Sequence, residues 1–308
     1  MAENSKKILS LDIGGTKTAI GLVDPDDWRV LIKKEMPTDP RSGRQSFLER
    51  LVVAVRAMGV EGFGTIGIGI AGLVDFEHGI LLKSPNLTQE FDNFVLAKSL
   101  EDEFGRPTAM DNDVRCFSLA EATIGSGRGF RHVFGVTIGT GIGGCMVIDG
   151  RVLRGRDNAA GEVGHMTVAM DSPIPCGCGG HGHFEALASG SALERLFGKK
   201  TTGEEVLALA DSGDRRAQEA LETLRGGLAV GFANIAYAYN PDVVVVGGGL
   251  GGVEGVWRPA VALAEGKISY PPVARLDVRR SVLGVSANLV GAAMMASERL
   301  PANRPLPR

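Results

Sequence analysis

Three of the five histidines and two of the four cysteines fall within His165-Met-Thr-Val-Ala-Met-Asp-Ser-Pro-Ile-Pro-Cys176-Gly-Cys178-Gly-Gly-His181-Gly-His183. Thiolates and imidazoles in a four-ligand set suit tetrahedral Zn2+, and four protein ligands leave no open catalytic position, so such a zinc would be structural. Cys176 and Cys178 stand too close together for an ordinary structural disulfide. A second group is Asp12-Ile-Gly14-Gly15-Thr16-Lys17. Backbone N–H groups exposed at a glycine turn form an anion nest, and a carboxylate beside it can hold Mg2+ directly or through water. The same glycines could equally do no more than turn a hairpin. A third group is Asn112-Asp113, where Asp113 precedes a helical pattern and suits the N-cap.

Two further glycine runs, Gly139-Thr-Gly141-Ile-Gly-Gly144 and Gly247-Gly248-Gly249-Leu-Gly-Gly252, satisfy G-x-G-x-x-G. Dinucleotide binding requires such a run to open a helix whose N-terminus holds the pyrophosphate. The first run instead leads into the strand-like Cys145-Met-Val-Ile. The second precedes a helical pattern, but no acidic residue ends a following strand at the expected distance of about 20 residues. No G-x-x-x-x-G-K-[ST] sequence is present. Two glycine hairpin tips clamping a nucleotide remain as the alternative.

The elements that must position these groups alternate between strand and helix, which defines an α/β class. Strand-like runs lie at Lys7 to Asp12, Thr18 to Val23, Thr65 to Ile70, Thr108 to Met110 and Asp242 to Gly247; helical patterns lie at Phe47 to Met58, Val95 to Phe104, Val114 to Ile124, Arg215 to Tyr239 and Val256 to Glu265. Laid on itself at an offset of 125 residues, the chain matches Leu9 to Asp24 with Phe134 to Asp149, each a strand, a glycine turn and a strand. A duplicated two-lobe protein with a central interlobe cleft follows as the expectation, since ligands favour clefts between domains. The lobes are expected at 1–125 (small, N-terminal) and 126–287 (larger, C-terminal, with the zinc loop), and a helix at about 288–300 is expected to pack back on the first.

Length and composition agree with this organisation. A chain of 308 residues suggests two domains. Glycine, at 44 residues, is about twice its average usage without a G-X-Y period. A formal charge of −3 offers no general attraction for nucleic acid or anionic membrane. The first residues lack the apolar stretch of a signal peptide and no segment approaches about 20 uninterrupted apolar residues, so a cytoplasmic protein is expected.

In order, Asp12-Ile-Gly-Gly-Thr-Lys17, Asn112-Asp113, Thr137-Ile-Gly-Thr140-Gly141-Ile-Gly-Gly144, Gly161-Glu162-Val-Gly-His165 and Cys176-Gly-Cys-Gly-Gly-His-Gly-His-Phe-Glu185 resemble the motifs of the ROK family of repressors, open-reading-frame proteins and sugar kinases. The resemblance runs from about Ile8 to Ala293. It implies the duplicated actin-like (ribonuclease H-like) α/β fold and ATP-dependent phosphorylation of a hexose. By this resemblance Asp113 is the general base, and Gly72, Asn86, Asn112, Glu162, His165 and Glu185 join it around the sugar. Asp12, Gly14, Gly15, Thr16, Lys17, Thr140, Gly141, Gly248 and Gly249 would take Mg·ATP. The family pattern C-x-C-G-x-x-G-C with an upstream histidine implies zinc on His165, Cys176, Cys178 and the last position, which here is His183; His181 competes for that fourth place.

Glucose is the first expected acceptor, with N-acetylmannosamine, N-acetylglucosamine, fructose and allose as alternatives within the family. A sugar-responsive transcriptional regulator is the rival from another class. It is disfavoured because the phosphate motif at Asp12 leaves no room before it for a helix-turn-helix domain. A homodimer or homotetramer is the expected assembly.

Overall fold

In the computed structural model, which describes residues 6–60, 62–198, 200–269 and 275–297, the chain divides into two compact units. The first holds 1–120, 154–159 and 285–308, and the second holds 121–153 and 160–284. The expected ends at 298–300 of the last helix lie outside the described residues.

The first unit opens with β1 (Ile8–Ile13), β2 (Lys17–Val23) and β3 (Val30–Pro37), then α1 (Arg44–Arg56), β4 (Thr65–Ile70), the short pair β5 (Leu73–Asp75) and β6 (Ile80–Lys83), α2 (Leu96–Phe104), β7 (Thr108–Asn112) and all but the last three residues of α3 (Asp113–Thr123). Its sheet runs β3-β2-β1-β4-β7, with β1, β4 and β7 parallel and β2 and β3 antiparallel to their neighbours. β1 and β4 are buried along nearly their whole length, as central strands covered on both faces must be. Phe47 and Leu51 of α1 and Leu96 and Leu100 of α2 join the buried cluster under this sheet.

The second unit holds β8 (His132–Ile138), β9 (Ile142–Ile148), β10 (Arg151–Val152), α4 (Phe184–Ala188), α5 (Gly190–Phe197), α6 (Gly203–Asp211), α7 (Arg215–Tyr239), β11 (Val243–Gly247), α8 (Glu254–Glu265) and β12 (Val278–Arg280). Its sheet order, β10-β9-β8-β11-β12, repeats the first with the same pattern of antiparallel and parallel neighbours. The long α7 buries Leu224, Leu228, Phe232 and Ile235 in the unit's core, beside Trp257 of α8. The last helix, α9 (Ala287–Ser297), belongs to the first unit and packs on β1 and β4. A Cβ on Gly67 would lie 2.1 Å from the Ala292 carbonyl oxygen, so only glycine admits α9 this close to β4.

Three details differ from the sequence reading. β3 was not anticipated, because its polar Lys33, Lys34 and Glu35 hide the strand pattern. The match at a constant offset of 125 holds for β8 against β1 but slips by one for β9 against β2. Ile13 pairs with Thr18 across four residues, whereas Ile138 pairs with Ile142 across three. The second turn is one residue tighter, so Asp149 is not the structural counterpart of Asp24. Finally, Arg154–Ala159 belongs to the first unit although it follows β10 of the second, which two consecutive lobes do not provide for.

Candidate active site

In the first unit the expected residues gather at the carboxyl ends of the parallel strands, where open α/β sheets bind ligands. Across the sheet Asp12 of β1 stands in register with Gly69 of β4, and Gly69 with Asp111 of β7. Asn112 ends β7 and Asp113 begins α3. Contrary to the simple N-cap reading of Asp113, the cap is Asn112: its Oδ1 accepts the Val114 N–H at 2.9 Å and the Arg115 N–H at 3.3 Å. Its Nδ2 donates to the Gly72 carbonyl at 3.0 Å. Gly72 holds φ 137, and a Cβ there would lie 2.4 Å from the Lys83 carbonyl oxygen, so the residue that fixes Asn112 has to be glycine. Asp113 therefore starts a helix, where the exposed N–H groups favour a carboxylate.

Asp12 accepts a hydrogen bond from Asn288 Nδ2 of α9 at 3.1 Å on Oδ1. Burial raises its carboxyl above the ordinary value, opposed by the Asn288 bond and by the charges of Lys33 and Lys17. A bound divalent cation would favour the ionised form, which fits a hard-cation ligand placed among these groups. The hairpin tip after Asp12 closes with the Gly14 N–H on the Lys17 carbonyl, and Thr38 Oγ1 donates to the Gly14 carbonyl at 2.7 Å. A Cβ on Gly15 would lie 2.7 Å from the Asn86 carbonyl oxygen, so the turn and the Ser84-Pro-Asn86 segment meet backbone to backbone. Thr16 is exposed, and Lys17 lies 2.9 Å from Glu35 of β3 in an exposed ion pair. Sequence reasoning missed Asn288 and Thr38, since neither stands in a motif and both act from distant elements.

In the second unit the β8–β9 tip lies beside the Gly248–Gly249 loop. A Cβ on Gly139 would come 4.0 Å from the Gly249 N, and Gly248, at φ 84, would meet the Ile138 carbonyl at 2.6 Å if it carried one. Trp257 Nε1 donates to the Gly251 carbonyl at 2.9 Å and holds this loop from below. Thr140 at the tip accepts from the Ser191 N–H at the start of α5. Glu185 Oε2 accepts the Ile142 N–H at 3.0 Å, and a Cβ on Gly141 would lie only 2.3 Å from that oxygen.

His165, Cys176, Cys178 and His183 converge, with one candidate ligand atom from each lying within 4.8 Å of the others. Cys176 Sγ is 3.6 Å from His165 Nδ1 and Cys178 Sγ is 3.2 Å from His183 Nδ1. Ligand atoms around one tetrahedral zinc lie about 3.3–3.8 Å apart, so the donor types suit that metal and the Cys176–His165 and Cys178–His183 separations lie close to that spacing. His181 is exposed and stands outside the group. Burial pushes the Cys176 thiol above its ordinary value. Cys176 Sγ also lies 3.8 Å from Glu185 Oε1, which links the cluster to the β9 end through one carboxylate. Glu162 is exposed just before the short 3-10 turn Val163–His165, and the turn rests on β9 because Gly161 and Gly164 have no side chain. Cys116 and Cys145 are buried. No described helix is long and apolar enough to cross a membrane.

A twice-used sheet of this order, with a glycine hairpin in each copy, defines an α/β chain of the actin-like fold class. The ROK family model matches residues 8–299. A glucokinase of Thermotoga maritima is 31% identical over 96% of this chain and 98% of its own. An N-acetyl-D-glucosamine kinase of Vibrio cholerae is 35% identical over 78% of this chain and 83% of its own.

Among solved structures, a ROK hexokinase from Thermus thermophilus superposes with a TM-score of 0.81 at 35% identity, over 95% of this chain and 98% of that one. A ROK glucokinase from Streptomyces griseus, in complex with glucose and AMPPNP, gives 0.80 at 29% identity over 95% and 99%. A ROK transcriptional regulator homologous to the Escherichia coli MLC protein gives 0.84 at 25% identity, over 96% of this chain and 78% of the regulator. The chain belongs to the ROK family, as a sugar kinase.

Proposed function

We propose that this kinase transfers the γ-phosphoryl group of Mg·ATP to a hydroxyl of a hexose, with glucose as the first acceptor. The observation that carries the reading is the strand-end group in which Asn112 caps α3, Asp113 opens it, and Asp12, two strands away, stands in register with the preceding Asp111. Asp113 orients the acceptor hydroxyl and takes its proton. Phosphoryl transfer depends otherwise on positioning and charge neutralisation. Asn112 keeps a second Nδ2 hydrogen for a sugar oxygen after its bond to Gly72. Gly72 and Asn86 line the sugar on the same unit, and Glu162, His165 and Glu185 supply its remaining polar contacts.

Gly14, Gly15, Thr16 and Lys17, Thr140 and Gly141, and Gly248 and Gly249 receive the nucleotide. Mg2+, held by Asp12 directly or through water, would neutralise phosphate charge. Zn2+ on His165, Cys176, Cys178 and His183 would brace the loops that carry Glu162 and Glu185. The His165 ring turns Nδ1 toward Cys176, which leaves Nε2 for a sugar hydroxyl. The protein works as a cytoplasmic homodimer or homotetramer.

A second reading, phosphorylation of N-acetylglucosamine, is favoured by the 35% identity with the Vibrio kinase. A coupled ADP-release assay over glucose, N-acetylglucosamine, N-acetylmannosamine, fructose, allose and mannose separates the two. Glucose is expected to give the highest kcat/KM. A higher value with any N-acetyl sugar would replace glucose, and no ADP release with any sugar would overturn the kinase reading.

A further inference from the structure

Asp111 has no solvent exposure, and a carboxylate in that position is costly unless both oxygens are paired. Oδ1 accepts Arg115 Nη1 at 2.9 Å and the Asn112 N–H at 2.8 Å, while Oδ2 accepts Arg154 Nε at 2.8 Å. Arg115, on the first turn of α3 and itself buried, also donates to the Asn158 carbonyl. The Arg154 guanidinium lies 3.7 Å from the centroid of the Phe76 ring and directs Nη2 to Met295 Sδ at 3.6 Å. The two arginines thus pin Arg154–Ala159 near both its ends to the first unit, three residues before Glu162.

Replacing buried ion clusters by apolar groups of equal size is often neutral or stabilising, so stability alone does not account for this one. What the cluster does hold is backbone. It grips the N–H of Asn112, the first turn of α3 on either side of Asp113, and the Arg154–Ala159 strap. We propose that Arg115 and Arg154 act through Asp111 as positioning residues for phosphoryl transfer, setting the Asn112–Asp113 junction and the strap that leads to Glu162. This inference rests on Asp113 being the base. A junction displaced by a fraction of an ångström loses alignment with the acceptor hydroxyl while the nucleotide groups stay where they were.

The test is steady-state ADP release by the full chain, comparing wild type with Arg154→Met and Arg154→Lys on the preferred hexose. Arg154→Met leaves Asp111 paired with Arg115. It is expected to lower kcat about 30-fold and raise the hexose KM, with the ATP KM changed less than about twofold. Arg154→Lys keeps the charge but not the flat stacked fork, and is expected to recover kcat to within about fivefold of wild type. A folded Arg154→Met enzyme with kcat within about twofold of wild type overturns the proposal, even if it melts at lower temperature. So does an Arg154→Lys enzyme no more active than Arg154→Met. Should Arg154→Met fail to fold, Arg154→Gln, which lacks the charge but keeps a polar end, decides: a kcat lowered more than about fivefold at unchanged ATP KM supports positioning, and wild-type kinetics overturn it. Asp113→Asn run alongside separates the two readings, because full activity there removes the base itself, whereas its loss with normal Arg154 variants removes only the positioning role.

Discussion

The two sheets share strand order and direction, yet they carry different chemistry at equivalent places. The third parallel strand of the first sheet is β7, whose end supplies Asn112 and Asp113; that of the second is β12, which is three residues long and ends at the exposed Arg280. The first hairpin turn spans four residues and follows Asp12, and the second spans three and follows Thr137. What was duplicated is a frame that presents backbone N–H groups at glycine turns. The groups that differ between copies are those proposed here for proton transfer, cation binding and sugar recognition. The thiol and imidazole cluster, inserted between β10 and α4, has no counterpart between β3 and α1.

The largest expected effect tests the asymmetry at β7. Asp113→Asn should lower kcat about 10²–10⁴-fold while calorimetry still detects hexose binding; substantial residual turnover would return that strand end to a structural role. Next comes the metal. Purified protein should contain about one zinc per chain, and His183→Ala should lose it while His181→Ala keeps it. On chelation, hydrogen exchange should rise in the cluster loop and leave Ile8–Val23 unchanged; a rise in both copies would remove the contrast between them.

A smaller effect compares equivalent strand positions, Gly67 in β4 and Val245 in β11. Gly67→Val forces a side chain into the Ala292 backbone and should destabilise by more than about 3 kcal/mol in urea unfolding. Val245→Gly loses a fully buried side chain and should cost about 2–3 kcal/mol. The smallest effect is at Asp12. Its folded-state carboxyl is raised, so the native protein binds the proton more tightly than the unfolded chain, and stability falls as pH climbs from the unfolded value through the folded one. Asp12→Asn should therefore melt a few degrees higher at neutral pH while kinase activity collapses, and the gain should vanish in acid; a melting temperature lowered at neutral pH would contradict the cost of this buried charge.

Much of the frame was legible in the sequence because apolar runs and glycine turns are local signals. β4 and α7 begin and end where periodicity placed them, and the repeat of β1 in β8 followed from a constant offset. The gathering of His165, Cys176, Cys178 and His183 was legible because all four lie within one stretch of 19 residues. What stayed hidden depends on partners far apart in the chain. Asn288 reaches Asp12 across 276 positions, and Arg154 reaches Asp111 across 43. The shorter second turn was invisible because one missing residue in a glycine run leaves the pattern intact while shifting every later pair.

β3 also bears on how the protein behaves at high concentration. It is an eight-residue strand at the edge of its sheet, the kind of surface that recruits strands from other chains and seeds aggregates. Its Lys33, Lys34 and Glu35 and its terminal Pro37 are features that deter such pairing, whereas the second sheet limits the hazard by cutting both edges, β10 and β12, to two and three residues. The polarity that concealed this strand from its sequence is therefore also a guard on solubility, and neutralising Lys33 and Lys34 together would remove it.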